Sequence, residues 1–225
     1  MADNKKFRYE KKYLLDRDSA LLLKQRISYV LSPDNAGENG SYHISSLYFD
    51  DQYNTAFYEK QNGVLKRNKF RLRFYNHCMD TIRLECKQKH GEMICKESKF
   101  ITPEQYEMMF HKNYEFMNTI EDAVTRKFYT THITNQMRPV IMIDYDRQAY
   151  IHSAGNVRIT FDDDLTARLP LSDHTFSILT KKNVILEIKY DNFIPSFITA
   201  LITGIHLTPQ LAVSKYIIAK LALQV

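Results

Sequence analysis

The sequence has no tryptophan and only six glycines and six prolines in 225 residues. That scarcity excludes collagen-like and low-complexity architectures. No stretch rich in Gly, Ser or Pro divides the chain, so one domain spanning 1–225 is expected. Three cysteines, Cys78, Cys86 and Cys95, form no C-x-x-C pair and leave an odd thiol. Reduced thiols in a cytoplasmic protein are expected in place of a disulfide framework. Met1 to Lys6 lack the apolar run of a signal peptide. The longest apolar stretch, Phe193 to Leu207, contains Pro195 and Gly204, and at about 15 residues it falls short of the roughly 20 that span a bilayer. No direct membrane insertion is expected, and membrane association would need a membrane-protein partner. There is no G-x-x-x-x-G-K-[ST] loop to cradle phosphates, so side chains must bind any phosphate. The eight histidines show no H-E-x-x-H spacing, and no zinc site is expected.

An apolar fraction of 44% supplies a core, and Tyr and Phe, 15 and 13 of them, suit a strand-rich protein. The net charge of +5 points to an anionic partner without choosing among nucleic acid, acidic lipid and phosphorylated metabolites. Alternation predicts strands over Phe7–Leu15, His43–Asp50, Lys69–Asn76, Thr81–Lys89, Met93–Phe100, Val140–Ile151, Asn156–Phe161 and Val184–Tyr190, with a shorter candidate at Thr55–Lys60. Turns are expected at Gln61-Asn62-Gly63 and His90-Gly91-Glu92. Helices are expected over Ser19–Leu31, Pro103–Lys112, Tyr114–Thr134, Phe193–Ile202 and Pro209–Leu223. Thr102-Pro103 and Thr208-Pro209 each place a capping hydroxyl before a first-turn proline. This order argues for an antiparallel α+β protein over a doubly wound sheet.

Side chains alternate between the two faces of a strand, and that rule sorts the charges. Arg8, Glu10 and Lys12 share one face, with Tyr9 and Tyr13 opposite. Lys69, Arg71 and Arg73 oppose Phe70, Leu72 and Phe74. Arg83, Glu85, Lys87 and Lys89 oppose Leu84 and Cys86. Tyr145 and Arg147 share a face, as do Arg158, Thr160 and Asp162, while Glu187 and Lys189 oppose Leu186, Ile188 and Tyr190. A solvated face explains any one strand, but not so many faces rich in Arg and poor in Ser and Thr. Guanidinium groups suit bidentate phosphate contacts. If the sheet closes with these faces inward, a polyanion would neutralise the cationic excess and the carboxylates could hold a divalent metal. The apolar faces would then point outward, under the helices. The run Asp162-Asp163-Asp164 and the pair Asp50-Asp51 read as turn chemistry, and Tyr13, Tyr48 and Tyr145 as packing residues.

Over nearly its whole length the chain resembles the VTC domain, the polyphosphate-polymerase branch of the triphosphate tunnel metalloenzymes. The resemblance rests on Arg8-Tyr9-Glu10-Lys11-Lys12-Tyr13, Ser46-Leu47-Tyr48-Phe49-Asp50, Arg67-Asn68-Lys69-Phe70-Arg71-Leu72-Arg73 and Leu84-Glu85-Cys86-Lys87. It continues through Tyr145-Asp146-Arg147, Arg158-Ile159-Thr160-Phe161-Asp162, Leu186-Glu187-Ile188-Lys189 and Ser214-Lys215-Tyr216. It implies an antiparallel β-barrel, a tunnel with a charged interior that binds triphosphate and metal. Lys12, Arg71, Arg73, Lys87, Lys96, Arg147, Arg158, Lys189 and Lys215 are then the phosphate-binding residues. Glu187 becomes the metal-holding carboxylate, with Glu10 and Glu85 as further candidates for Mn2+ or Mg2+. Lys12, Arg71, Arg73 and Glu187 are expected to carry catalysis. Two positions depart from the family pattern: Ala212 stands where polymerases can carry a second basic residue, and strand one reads Arg-x-Glu-x-Lys where the hydrolases show Glu-x-Glu-x-Lys.

The activity so implied moves the terminal phosphate of a nucleoside triphosphate, ATP, onto a growing polyphosphate chain. Two alternatives stay open: a triphosphatase in which Glu10 or Glu85 activates water, and a non-catalytic polyphosphate sensor. Nucleic acid is not an expected partner, because exposed basic and aromatic stripes are less evident than charged strand faces.

Overall fold

Alternating aromatic or β-branched and charged residues build eight long strands, which set both the shape of the protein and the position of its charges. In the computed structural model they are β1 (Arg8–Asp16), β2 (Ser41–Asp50), β3 (Lys66–Tyr75), β4 (Cys78–His90), β5 (Met93–Ile101), β6 (Arg138–His152), β7 (Val157–Arg168) and β8 (Asn183–Tyr190). Residues 7–34, 37, 40–205, 207–209 and 214–223 are described. Each strand pairs antiparallel with its neighbours in the order β1–β5–β4–β3–β2–β6–β7–β8, and β8 pairs back onto β1. The sheet is therefore a closed barrel with inward and outward faces. The expected turns at Gly63 and Gly91 both place glycine at positive φ, 69° and 59°.

Among the described residues six α-helices accompany the strands: α1 (Arg17–Ser28), α2 (Thr55–Gln61), α3 (Pro103–Phe110), α4 (Ala123–Asn135), α5 (Ser196–Ile202) and α6 (Lys215–Ala222). Asp16 caps α1 by accepting from the Ser19 amide at 2.8 Å, and Thr102 forms a reciprocal capping box with Gln105 at the start of α3. Phe49, Phe70, Leu72 and Leu84 on the outer barrel wall pack under α3 and α4 through Tyr106, Met109, Val124 and Phe128. On the other side Ile159, Phe161, Leu186 and Ile188 pack under Leu23 and Ile27 of α1 and Ile198 of α5. Helices thus cover the outward apolar faces, as strand parity requires. A third apolar cluster has inward parity. Ile143 and Ile185, on the faces of Arg147 and Glu187, pack with Tyr216, Ile217 and Ala219 of α6 and fill that end of the interior.

Three expected elements differ. Thr55–Lys60 belongs to helix α2, because the Asp50 carboxylate accepts from the Ala56 and Phe57 amides and Asp51 from the Thr55 amide. Those bonds satisfy the free N–H groups of a first turn, which a short alternating pattern cannot reveal. Tyr114–Thr134 divides into a 3-10 turn at Glu115–Thr119 and α4, which Asp122 caps at the Val124 and Thr125 amides. Thr208-Pro209 starts no helix; it pairs with Leu14 and Tyr13 at an edge, a place where proline's missing donor is tolerated. Residues 210–213 of the expected last helix, Ala212 among them, lie outside the described residues. Among the described residues no helix is long and apolar enough to cross a membrane.

Candidate anion-binding site in the barrel interior

Cross-strand register turns the charged faces into rows of ion pairs. On β1 and β8, Lys12 lies opposite Glu187 and Glu10 opposite Lys189. The Lys12 ammonium sits 3.2 Å from Glu10 and 3.5 Å from Glu187, and Lys189 lies 3.6 Å from Glu187. Lys87 of β4 donates to both Glu10 oxygens, at 2.7 and 2.9 Å. Across β2, β3 and β4, Tyr48, Arg71 and Glu85 form one row. Arg71 binds one Glu85 oxygen through Nε at 2.8 Å and Nη2 at 2.6 Å, and donates to the Tyr48 hydroxyl at 3.1 Å. Arg73 donates to Ser46 at 3.2 Å and to the Tyr145 hydroxyl at 2.8 Å. On β6 and β7, Arg147 holds Asp162 bidentately at 2.6 and 2.9 Å, and Lys215 from α6 binds the same carboxylate.

These rows wall an inner cavity of about 70 Å³. Its lining includes eight cationic side chains, Lys12, Lys69, Arg71, Arg73, Lys87, Arg147, Lys189 and Lys215, against one carboxylate, Glu187. It shares Lys12, Lys69, Lys87 and Ser214 with an outer cavity of about 450 Å³, where Lys60, Arg67 and Lys89 add further positive charge. Such an excess on walls that are only partly open to water calls for an anion.

The titration of the groups reflects that imbalance. Burial, then Lys87 and Lys12, push Lys69 well below the usual lysine range. Burial lowers Lys189 to about 8 despite Glu187 and Glu10 beside it. Burial also lowers Lys87, which Glu10 only partly offsets, and Lys215, which Asp162 only partly offsets. Burial pushes the carboxylates up, yet their cations win. Lys12 and Lys189 hold Glu187 well below its ordinary value, and Arg71 and Arg73 do the same for Glu85.

Of the residues expected from sequence, Lys12, Arg71, Arg73, Lys87, Arg147, Glu187, Lys189 and Lys215 converge on the inner cavity. Lys96 stands behind it, bonded to Glu85 at 2.9 Å with about half its side chain exposed, 48%. Arg158 is not brought in; its guanidinium is taken up by Asp34 and by the Tyr42 hydroxyl. The expected set of three metal-holding carboxylates does not assemble, and among the described residues no group of three acidic, His or Cys side chains is placed to hold a metal. The reason is register: Glu85 lies opposite Arg71, and Arg71 and Lys96 occupy its two oxygens. Glu10 and Glu187 remain as a pair meeting over Lys12. Mg2+-like cations commonly take one or two carboxylates and complete their shell with phosphate oxygens. Glu187, and Glu10 where an anionic ligand draws Lys87 away from it, fit a divalent cation that arrives with that ligand.

Sequence reasoning did not assign Lys69, Tyr48, Tyr145, Asp162 or Lys60 to the site. Parity was a usable signal for Lys69, two residues before Arg71, and for Tyr145, two before Arg147. Asp162 had the right parity too, but its neighbours Asp163 and Asp164 suggested a turn. Instead its side chain is fully buried between Arg147 and Lys215. Breaking such a buried pair from one side costs about 3–5 kcal/mol. Asp162→Ala is therefore expected to lower stability by that order in urea unfolding, with partial recovery when tripolyphosphate is added. Unchanged stability would contradict the pairing.

A closed antiparallel barrel with a cationic interior defines a triphosphate tunnel fold. Solved structures that share it include two putative cyclases. One is a putative adenylyl cyclase from Hippeastrum, described as revealing a dominant triphosphatase activity, with a TM-score of 0.61 at 13% identity over 96% of both chains. The other is a putative adenylate cyclase from Bacillus halodurans, with a TM-score of 0.55 at 14% identity over 92% of this chain and 94% of that one. The family model of the VTC domain matches residues 7–224, and the chain belongs to the VTC domain family. A search of curated proteins found no match.

Proposed function

We propose that this protein transfers the terminal phosphate of a nucleoside triphosphate, ATP, to a growing polyphosphate chain in a metal-dependent reaction. The observation that carries this reading is the inner cavity of about 70 Å³, walled by cations from β1, β3, β4, β6, β8 and α6. Drug-sized ligands occupy roughly 300–1,000 Å³, so this space suits phosphoryl groups alone. A nucleoside would rest in the outer cavity of about 450 Å³.

The chain's own residues supply positioning and charge. Arg71 and Arg73 present planar donors to non-bridging oxygens, and Lys12, Lys69 and Lys215 offset the negative charge around them. A divalent metal held by Glu187 and Glu10 would add charge neutralisation at the transferring group. The acceptor is a terminal phosphate oxygen, already ionised near neutral pH, so no general base is needed. This favours transfer over hydrolysis, because the carboxylates that might activate water are poor bases here. Burial raises Glu10 and Glu85, but the cations around each outweigh it and hold both below their ordinary range.

One observation favours hydrolysis of triphosphate as a second reading. Ile143, Ile185 and α6 fill one end of the interior, which leaves a long product little room on that side. Incubation with ATP and Mn2+ or Mg2+ separates the readings, with products resolved by gel and by orthophosphate assay. Polymer that lengthens with time is expected. Orthophosphate without chain growth would replace polymerase by hydrolase, and tight binding without turnover would leave a sensor.

A further inference from the structure

We infer that Asp50 and Tyr216 form a positioning pair that sets Lys215 and Lys69 in the inner cavity. The inference rests on the reading of that cavity as a phosphate site. It joins two segments far apart in the chain, the end of β2 and the start of α6.

Asp50 is buried, and its carboxylate is fully used. One oxygen accepts from the Asp51 and Ala56 amides, both at 2.9 Å, and the other from the Phe57 amide at 3.1 Å and the Tyr216 hydroxyl. The three amides fix the carboxylate at the head of α2, so Tyr216 meets a rigid acceptor. Burial and the adjacent Asp50 charge push the Tyr216 phenol up, which keeps it a donor.

Three features tie Tyr216 to the site. Its ring stacks on Tyr48 at 5.5 Å, and Tyr48 takes a hydrogen bond from Arg71. The Lys69 ammonium lies 4.8 Å from the centre of the Tyr216 ring and donates to Ser214 at 2.9 Å. The preceding residue, Lys215, reaches Asp162 and lies 4.4 Å from the Tyr145 ring centre. A tyrosine needed only for packing would require the ring; the hydroxyl on Asp50 fixes how far α6 advances toward the cavity.

Tyr216→Phe removes that one oxygen and keeps the ring, and Asp50→Asn weakens the same bond from the other side. Amine labelling of the ligand-free protein, read residue by residue by mass spectrometry, reports the lysines directly. Both variants are expected to raise labelling of Lys215 and Lys69 several-fold, with exposed Lys99 unchanged. Tripolyphosphate affinity should fall about tenfold in Tyr216→Phe. In a Lys215→Gln background the same change should cost clearly less than tenfold, because only the share that acts through Lys69 remains. Unchanged labelling in both variants, or fully additive losses of affinity, would overturn the pair. If the unaltered protein binds no tripolyphosphate, the phosphate reading fails, and labelling alone decides the positioning claim.

Discussion

Saturating tripolyphosphate is expected to raise the thermal midpoint of this protein by roughly 5–15 °C at low salt. Ligand at about 100 to 1,000 times Kd stabilises by roughly 2.7–4.1 kcal/mol, and each kcal/mol moves a domain of this size by about 2–4 °C. The effect should be large because the ligand-free interior carries unmatched positive charge, which the pH dependence exposes. Burial puts Lys189 at about 8 and, with Arg67 nearby, Lys60 also at about 8. Burial lowers Lys69, Lys87 and Lys215 as well. Between these folded values and the ordinary value near 10.5, the unfolded chain binds more protons than the folded one. Stability is therefore reduced below about 8 and rises as pH climbs toward 10. The carboxylates do not cancel this rise. Their depressed values give stability that is complete above the ordinary carboxylate range and is lost only in acid. Lys12 is raised, because Glu187 and Glu10 outweigh its burial. Its contribution is complete below 10.5 and is lost only at more alkaline pH. Bound tripolyphosphate should flatten the rise by matching the lysines with negative charge. Lys69→Met should imitate that flattening without ligand, raising the ligand-free midpoint and weakening tripolyphosphate about tenfold. Scanning calorimetry from pH 7 to 10 checks each point, and a flat ligand-free profile would refute the charge imbalance.

The inward faces were readable in the sequence because a strand has a period of two. Lys69, Arg71 and Arg73, or Glu187 and Lys189, could point nowhere but to one side together. The outward apolar faces and their helical cover followed from the same rule. Pairing across strands was not readable. The assignment of Glu85 to Arg71, and not to a metal, depends on which residue the β3–β4 register places opposite it. Asp162 was hidden for the same reason, since its partner Arg147 is chosen by the β6–β7 ladder. Arg158 had the right parity but meets Asp34, a residue whose position depends on the chain path before β2. Lys60 was invisible as a site residue because α2 depends on capping by Asp50 and Asp51, which override a brief strand-like alternation. Lys215 entered through family resemblance; the structure adds that α6 carries it to Asp162.

Glu187→Gln should separate binding from turnover more sharply than any other single change. The carboxylate is 4% exposed and is reached by Lys12 at 3.5 Å, Lys189 at 3.6 Å and Arg147 at 3.5 Å. It is also the one acidic group lining the inner cavity. Neutralising it makes the cavity more cationic, so metal-free affinity for tripolyphosphate should hold or rise. Turnover should instead fall by about 10²–10³, the scale on which removing one preorganised electrostatic group acts, and saturation by Mn2+ should weaken. Glu85→Gln provides the contrast. It strips Arg71 and Lys96 of their shared partner, so it should lower thermal stability and disturb phosphate affinity while leaving the metal saturation curve in place. Titration calorimetry with and without Mn2+, beside kcat measured across metal concentration, reads both variants. A Glu187→Gln protein that keeps normal turnover and normal metal saturation would remove Glu187 from the metal-binding role.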